Sequence, residues 1–175
     1  MDKKQCPACK EVEQQQLSYK KYIVLVRANN DFISIRDTRY PLGSLPPSGE
    51  GRFHRQGQLA YYAASGDVTA RAEVYRDPAA QIKPPYAPFQ IPAGDYNLLD
   101  FRQYLVDHPN SCRQFFSDSG DRGWSNCQVL RDELEVVGCS GTIYSSVANP
   151  GGINIAVWPL DGTPLTESFF HKKTD

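Results

Sequence analysis

Gly51-Arg52-Phe53-His54-Arg55-Gln56-Gly57-Gln58-Leu59-Ala60-Tyr61-Tyr62 runs directly into Ala63-Ala64-Ser65-Gly66-Asp67-Val68-Thr69-Ala70-Arg71-Ala72-Glu73-Val74-Tyr75. The first part is polar and flanked by glycines, then turns aromatic and small. It reads as a loop entering a strand over residues 58–63. Ser65-Gly66-Asp67 is a helix start, with Ser65 or Asp67 as the cap, because a short side-chain oxygen accepts from the unpaired amides of a first turn. Val68, Ala72 and Tyr75 then fall on one helical face, and Asp77-Pro78 stops the helix. Loop, strand and helix thus carry Arg52, Tyr62 and Glu73 on three successive elements.

The rest of the chain adds short strands and a few helices. Tyr22-Ile23-Val24-Leu25-Val26 is a β-branched and aromatic run, a buried strand ending at Arg27. Asn29-Asn30-Asp31 is a turn, and residues 32–35 form a short strand. Residues 41–51 hold three prolines and three glycines and make a loop. Prolines 84, 85 and 88 interrupt the chain again. Short strands are expected over 89–91 and 96–99, and a helix over 100–106. Residues 111–123 are polar and loop-like. Residues 124–137 place Val129, Leu130, Leu134 and Val137 at helical spacing, ended by Gly138. Strands over 142–144 and 153–158 close the domain, and the tail from Pro159 is peripheral. This mixture predicts an α+β fold, a single domain with small mixed or antiparallel sheets and flanking helices. Residues 1–20 are a polar N-terminal segment and 21–175 the domain proper.

Bulk properties narrow the function. The chain has 175 residues and a formal net charge of -1, with 40% hydrophobic and 22% charged residues. One domain of that size builds its own core without metal or disulfide. No global positive field draws it to nucleic acid or anionic lipid, so an anionic ligand needs a few local arginines. No apolar run approaches the roughly 18 residues of a membrane span. Five cysteines make an odd count without framework spacing, and no secretory signal stands at the N-terminus. Reduced thiols in the cytoplasm are expected, and a protein delivered into the cytoplasm of a target cell would have the same composition. Cys6-x-x-Cys9 reads as a loose reduced pair, since zinc needs two further ligands and a thioredoxin-like role needs a βαβ frame. His54, His108 and His171 stand in unrelated contexts, so no metal site is expected.

Several residues carry chemistry if they meet. Arg52 offers a planar fork to phosphate or carboxylate, or else pins its loop. Tyr62 offers a flat face and a hydroxyl, or packs the core; Tyr61 faces the other way by strand alternation. Glu73 has small and apolar neighbours, so its carboxylate lies near the protein body, or it pairs with Arg71 or Arg76 in solvent. Ser145 and Ser146 precede Asn149-Pro150-Gly151-Gly152, where hydroxyls also cap turns. Taken singly, each has a structural reading as good as the functional one.

Taken together, these motifs resemble the RES domain, a family named for its arginine, glutamate and serine. Gly51-Arg52-Phe53-His54 is similar to the family's glycine-arginine-aromatic-asparagine loop, with His54 where asparagine is usual. Tyr62 and Glu73 fall at the family spacing. Trp124-Ser125-Asn126-Cys127-Gln128-Val129-Leu130 resembles its tryptophan-led segment, and Tyr144-Ser145-Ser146 through Val157 its closing turn and strand. Ser146 fits the family serine better than Ser145, since Asn154 then lies at the expected distance. Arg27 matches a further family arginine. The resemblance implies a fold like that of the ADP-ribosyltransferases. It also implies a toxin that degrades NAD+ by hydrolysis or phosphorolysis of the nicotinamide-ribose bond, paired with an antitoxin or an immunity protein. NAD+ would be substrate, with no separate cofactor. The implied catalytic residues are Glu73, Arg52 and Ser146. Arg27, Tyr62, Arg52, His54, Ser145 and Asn154 would bind substrate. An ADP-ribosyltransferase acting on a macromolecule and a non-enzymatic interaction protein are the alternatives.

Overall fold

β1 (Ile23–Ala28) and β2 (Phe32–Asp37) follow each other in the chain but not in the sheet. The computed structural model describes residues 18–28, 31–39, 49–91, 94–111, 115, 121–160 and 171–172. After β2 come β3 (Tyr61–Ser65), α1 (Gly66–Tyr75), β4 (Tyr86–Gln90), β5 (Gly94–Asp100), α2 (Phe101–Asp107), α3 (Asp121–Val136), β6 (Gly141–Ser145), β7 (Ile153–Val157) and β8 (His171–Lys172). The strands form one sheet of eight, in the order β1-β5-β6-β7-β3-β2-β4-β8. Among the described residues its one parallel pair is β5 with β6, and α2 and α3 lie in the crossover that such a pair requires.

Strand alternation gives the sheet two different faces. Leu98, Ile143, Ile155, Val157, Tyr61, Ala63, Phe32 and Phe89 belong to one buried cluster that also holds Ala28. Residues from both ends of the strand order meet there, so the sheet curls around its own apolar face. The opposite face is covered by helices. Leu99, Tyr144 and Ala156 pack with Cys127, Leu130 and Leu134 of α3 and with Phe101 and Tyr104 of α2. Ile33, Ile35 and Ala64 pack with Ala70 of α1. Between these two helical covers stand β6, β7 and β3. Register pairs Tyr144 with Asn154 and Asn154 with Ala64, while Tyr62 lies opposite Ala156.

The expected small sheets are therefore one continuous sheet, because β7 pairs on both sides, with β6 and with β3. The expected strand at 58–63 begins later, at Tyr61, since residues 51–60 are spent on a folded turn. The helical face of α1 also differs. Thr69, Ala70 and Ala72 are buried, whereas Val68 is half exposed. Small residues let α1 lie close on β2 and β3, and the bulkier Val68 is turned outward. Ser65 stands at the N-cap but its hydroxyl caps nothing in the helix. It accepts from the Ile153 amide at 3.0 Å instead, tying α1 to β7. Asp100 does cap α2, accepting from the amides of Arg102 and Gln103. In α3 the buried stripe includes Cys127, Leu130 and Leu134, and Val129 faces solvent. The tail is not wholly peripheral, because β8 pairs with β4 through Phe89 and Gln90. Tyr19, inside the segment read as polar, is buried against the α2 aromatic Tyr104. Cys6, Cys9, Cys112 and most of the loop at 41–51 lie outside the described residues.

Candidate active site

The Glu73 carboxylate is held by the β6–β7 hairpin. Its Oε1 accepts from Ser146 Oγ and from Asn154 Nδ2, both at 2.6 Å. Hydrogen bonds to a carboxylate are short and about twice as strong as neutral ones. Ser146 is itself oriented, since its Oγ accepts from the Asn149 amide at 2.9 Å. The turn that bears it is closed by Ser146 N to Gly152 O and Gly152 N to Asn149 O, both 2.9 Å. Gly151 holds a φ of 85°, which only glycine adopts freely. A Cβ at Gly152 would meet Thr69 Cγ2 at 2.6 Å, so glycine is what lets the turn lie on α1. Asn149 Nδ2 completes the contact by donating to Thr69 Oγ1 at 2.9 Å.

A second substructure holds Arg52. Gly51 and His54 exchange backbone hydrogen bonds, so residues 51–54 form a tight turn with Arg52 in it. Tyr62 anchors that turn: its hydroxyl accepts from the Phe53 amide at 2.8 Å and lies 3.0 Å from His54 Nδ1. A Cβ at Gly51 would stand 2.8 Å from His54 Nδ1 and overlap the imidazole ring. The Arg52 guanidinium donates to the Phe115 carbonyl at 2.6 Å, and the Cys127 thiol shares that acceptor at 3.4 Å.

Tyr144 joins the two substructures. Burial raises its phenol far above the ordinary range; the Tyr62 hydroxyl and Glu73 carboxylate act in the same direction, and the Arg52 guanidinium opposes them. Burial likewise raises the Tyr62 phenol, so both tyrosines are neutral. Burial pushes the Cys127 thiol up to about 12 despite Arg52, which makes it inert as a nucleophile. Burial, helped by the Arg131 cation, lowers His54 to about 4, so its imidazole is neutral.

The residues singled out from the sequence divide accordingly. Glu73, Ser146 and Asn154 are in direct contact, and the Tyr62 hydroxyl holds the turn that bears Arg52 and His54. Ser145 is adjacent in the chain but points away, exposed, as alternation from Ser146 requires. Arg27 lies outside this hydrogen-bonded group. Its side chain is 79% exposed and sits 3.6 Å from Asp95 across the β1–β5 pair. Val26 and Ala28 belong to the curled apolar face, so Arg27 between them faces out. Sequence reading missed Tyr144, Gln128 and Arg131. Tyr144 was discoverable from alternation, two residues before Ser146. Arg131 was discoverable because it occupies an apolar position in the stripe Cys127, Leu130, Leu134.

The arrangement has a definite chemical polarity. Glu73 Oε1 is saturated by two donors, while Oε2 receives no hydrogen bond among the described residues. Asn154 Oδ1, buried, is likewise without a partner. Carboxylate and amide oxygens therefore accept at one side, toward hydroxyl groups or a developing positive charge. The Arg52 guanidinium suits an anion.

The model of the RES domain matches residues 25–170. This chain belongs to the RES domain family. Among curated proteins no sequence matches significantly. The fold of this RES domain is similar to a chain of the crystal structure of the M. tuberculosis MbcT-MbcA toxin-antitoxin complex. The TM-score is 0.61 at 14% identity, over 94% of this chain and 90% of that one. The α+β architecture is thus shared across nearly the whole length. No helix among the described residues is long and apolar enough to cross a membrane.

Proposed function

We propose that this RES domain is a toxin that cleaves the nicotinamide-ribose bond of NAD+, by hydrolysis or phosphorolysis. The observation that carries the reading is the Glu73 carboxylate, fixed through one oxygen by Ser146 and Asn154. Breaking the bond leaves its electron pair on the nicotinamide nitrogen and develops positive charge on the ribose. A carboxylate already oriented stabilises that charge without reorganising, which is the larger part of such catalysis. Its open oxygen also accepts from a ribose hydroxyl. Arg52 binds the pyrophosphate through charge-assisted hydrogen bonds. Ser146 and Asn154 orient the carboxylate, and Asn154 Oδ1 accepts from the sugar or the carboxamide. Tyr62 flanks the nicotinamide and holds the Arg52 turn, with His54 beneath it. Arg27, exposed on β1, contacts the outer part of the dinucleotide. Water or phosphate captures the ribosyl cation on the open face. A cognate antitoxin or immunity protein would protect the producing cell, as a toxin acting on a universal metabolite requires.

The test is NAD+ loss by purified protein at several phosphate concentrations, with ADP-ribose resolved from its phosphorylated form. Phosphate-dependent formation of the latter identifies phosphorolysis, and ADP-ribose alone identifies hydrolysis. Label from NAD+ retained on protein or nucleic acid would show an ADP-ribosyltransferase instead. Intact NAD+ throughout, with no heat of binding, would reject the enzyme.

A further inference from the structure

Helix α3 presents two polar side chains within its buried stripe. Gln128 is 9% exposed and Arg131 4%. Burying a guanidinium is costly unless its donors are met. Arg131 Nε donates to Glu135 Oε1 at 2.7 Å, and Nη1 donates to the carbonyls of Phe53 and Leu59, both at 2.9 Å. Its guanidinium carbon lies 5.1 Å from the Trp158 ring centre. Gln128 Nε2 donates to Gly51 O at 3.1 Å and His54 O at 3.2 Å. Gly51 and Phe53 flank Arg52, so α3 grips the backbone on both sides of it. Packing alone would be served by leucine or methionine at these two positions without desolvating any donor. Two buried donors one helical turn apart, both committed to one loop, form a device for placing that loop.

We infer that Gln128 and Arg131 are positioning residues that fix the Gly51–His54 turn so that the Arg52 guanidinium is set for the pyrophosphate of the dinucleotide. The inference rests on the role of Arg52 proposed above. Neither side chain touches substrate. Without them the turn carbonyls turn to water and the Arg52 backbone samples more conformations. The loss falls on binding, because the Glu73 cluster is built from α1 and the β6–β7 hairpin and is left intact.

The experiment is a double-mutant cycle in the full chain. Gln128→Met keeps the volume and removes the donors; Arg131→Lys keeps the charge and removes the fork. Each is made with Arg52 present and in an Arg52→Ala background, and NAD+ consumption is followed. With Arg52 present, either variant raises KM about tenfold and changes kcat less than about twofold. In the Arg52→Ala background the same substitution changes kcat/KM less than about twofold, because the group it positions is gone. Single-turnover NAD+ loss at high enzyme concentration supplies kcat/KM where turnover is slow. Should Gln128→Met fail to fold, Arg131→Lys carries the cycle alone. Equal losses in the two backgrounds, or a fall in kcat with KM unchanged, overturn the inference while leaving the proposed function standing. A parent chain that leaves NAD+ intact overturns both.

Discussion

At the scale of single residues, Glu73 and His54 make opposite demands on their surroundings. Glu73 needs its charge, and two donors keep one oxygen still. Ser146→Ala removes a hydrogen bond to a charged group, worth about 1.5–3 kcal/mol. Turnover is expected to fall roughly 10- to 100-fold with KM little changed, read by steady-state NAD+ loss. Glu73→Gln should fall further, since the neutral amide cannot balance a positive ribose. His54 needs to stay neutral. Its Nε2 is buried without a partner among the described residues, and its folded value of about 4 lies below the ordinary value of 6.5. Below pH 6.5 the unfolded chain takes up a proton that the folded chain refuses until about pH 4. Stability is therefore full above pH 6.5 and is lost on acidification toward pH 4, by roughly 3 kcal/mol from this residue. His54→Asn should remove that component. Urea midpoints of the two proteins are expected to diverge across this window, wild type falling more steeply.

At the scale of elements, the site is a meeting of the β6–β7 turn, α1 and the turn before β3. The first meeting depends on Gly152, where any side chain strikes Thr69. Gly152→Ala is expected to lift the hairpin from α1 and lower kcat by at least tenfold. Thr69→Ala, which removes both the methyl and the hydroxyl that the new Cβ strikes, should restore part of the rate; no recovery would mean that the loss has another cause. Much of this scale was readable from residue order. The strand–helix unit of β3 and α1, the helix through Trp124 and the closing strands follow from periodicity and from glycine and proline punctuation. The orientation of side chains around each helix did not. Val68 is apolar yet exposed, and Arg131 is charged yet buried, because partners remote in the chain decide which face is covered. Strand order was equally hidden, since β1 and β2 are neighbours in the chain and stand at opposite sides of β5-β6-β7-β3. The candidate residues Glu73, Arg52, Ser146 and Asn154 were picked out through their family spacing. Tyr144 carried no local signal beyond strand alternation.

At the scale of the molecule, a dinucleotide spanning Arg52 and Glu73 would bridge both helical covers of the sheet. Binding only to the folded chain, it stabilises by about 2.7 kcal/mol at a hundredfold excess over Kd. For a chain of this size that is roughly 5–11 °C in thermal midpoint. In Glu73→Ala, which should bind without consuming, NAD+ is expected to raise the midpoint by that order, and Arg52→Ala should largely abolish the rise. A core substitution such as Leu98→Ala tests the contrast. Leu98 is fully buried on the curled face, away from the site, so about 2–5 kcal/mol of stability is lost while KM at low temperature is retained.

The two donors that lock Glu73 come from residues 73 and 81 positions further along the chain. During synthesis the arginine and the glutamate emerge from the ribosome long before the serine and the asparagine that steady the carboxylate. An incomplete chain therefore carries the charges without their alignment. The alignment of the carboxylate is complete only once the β6–β7 hairpin has been made.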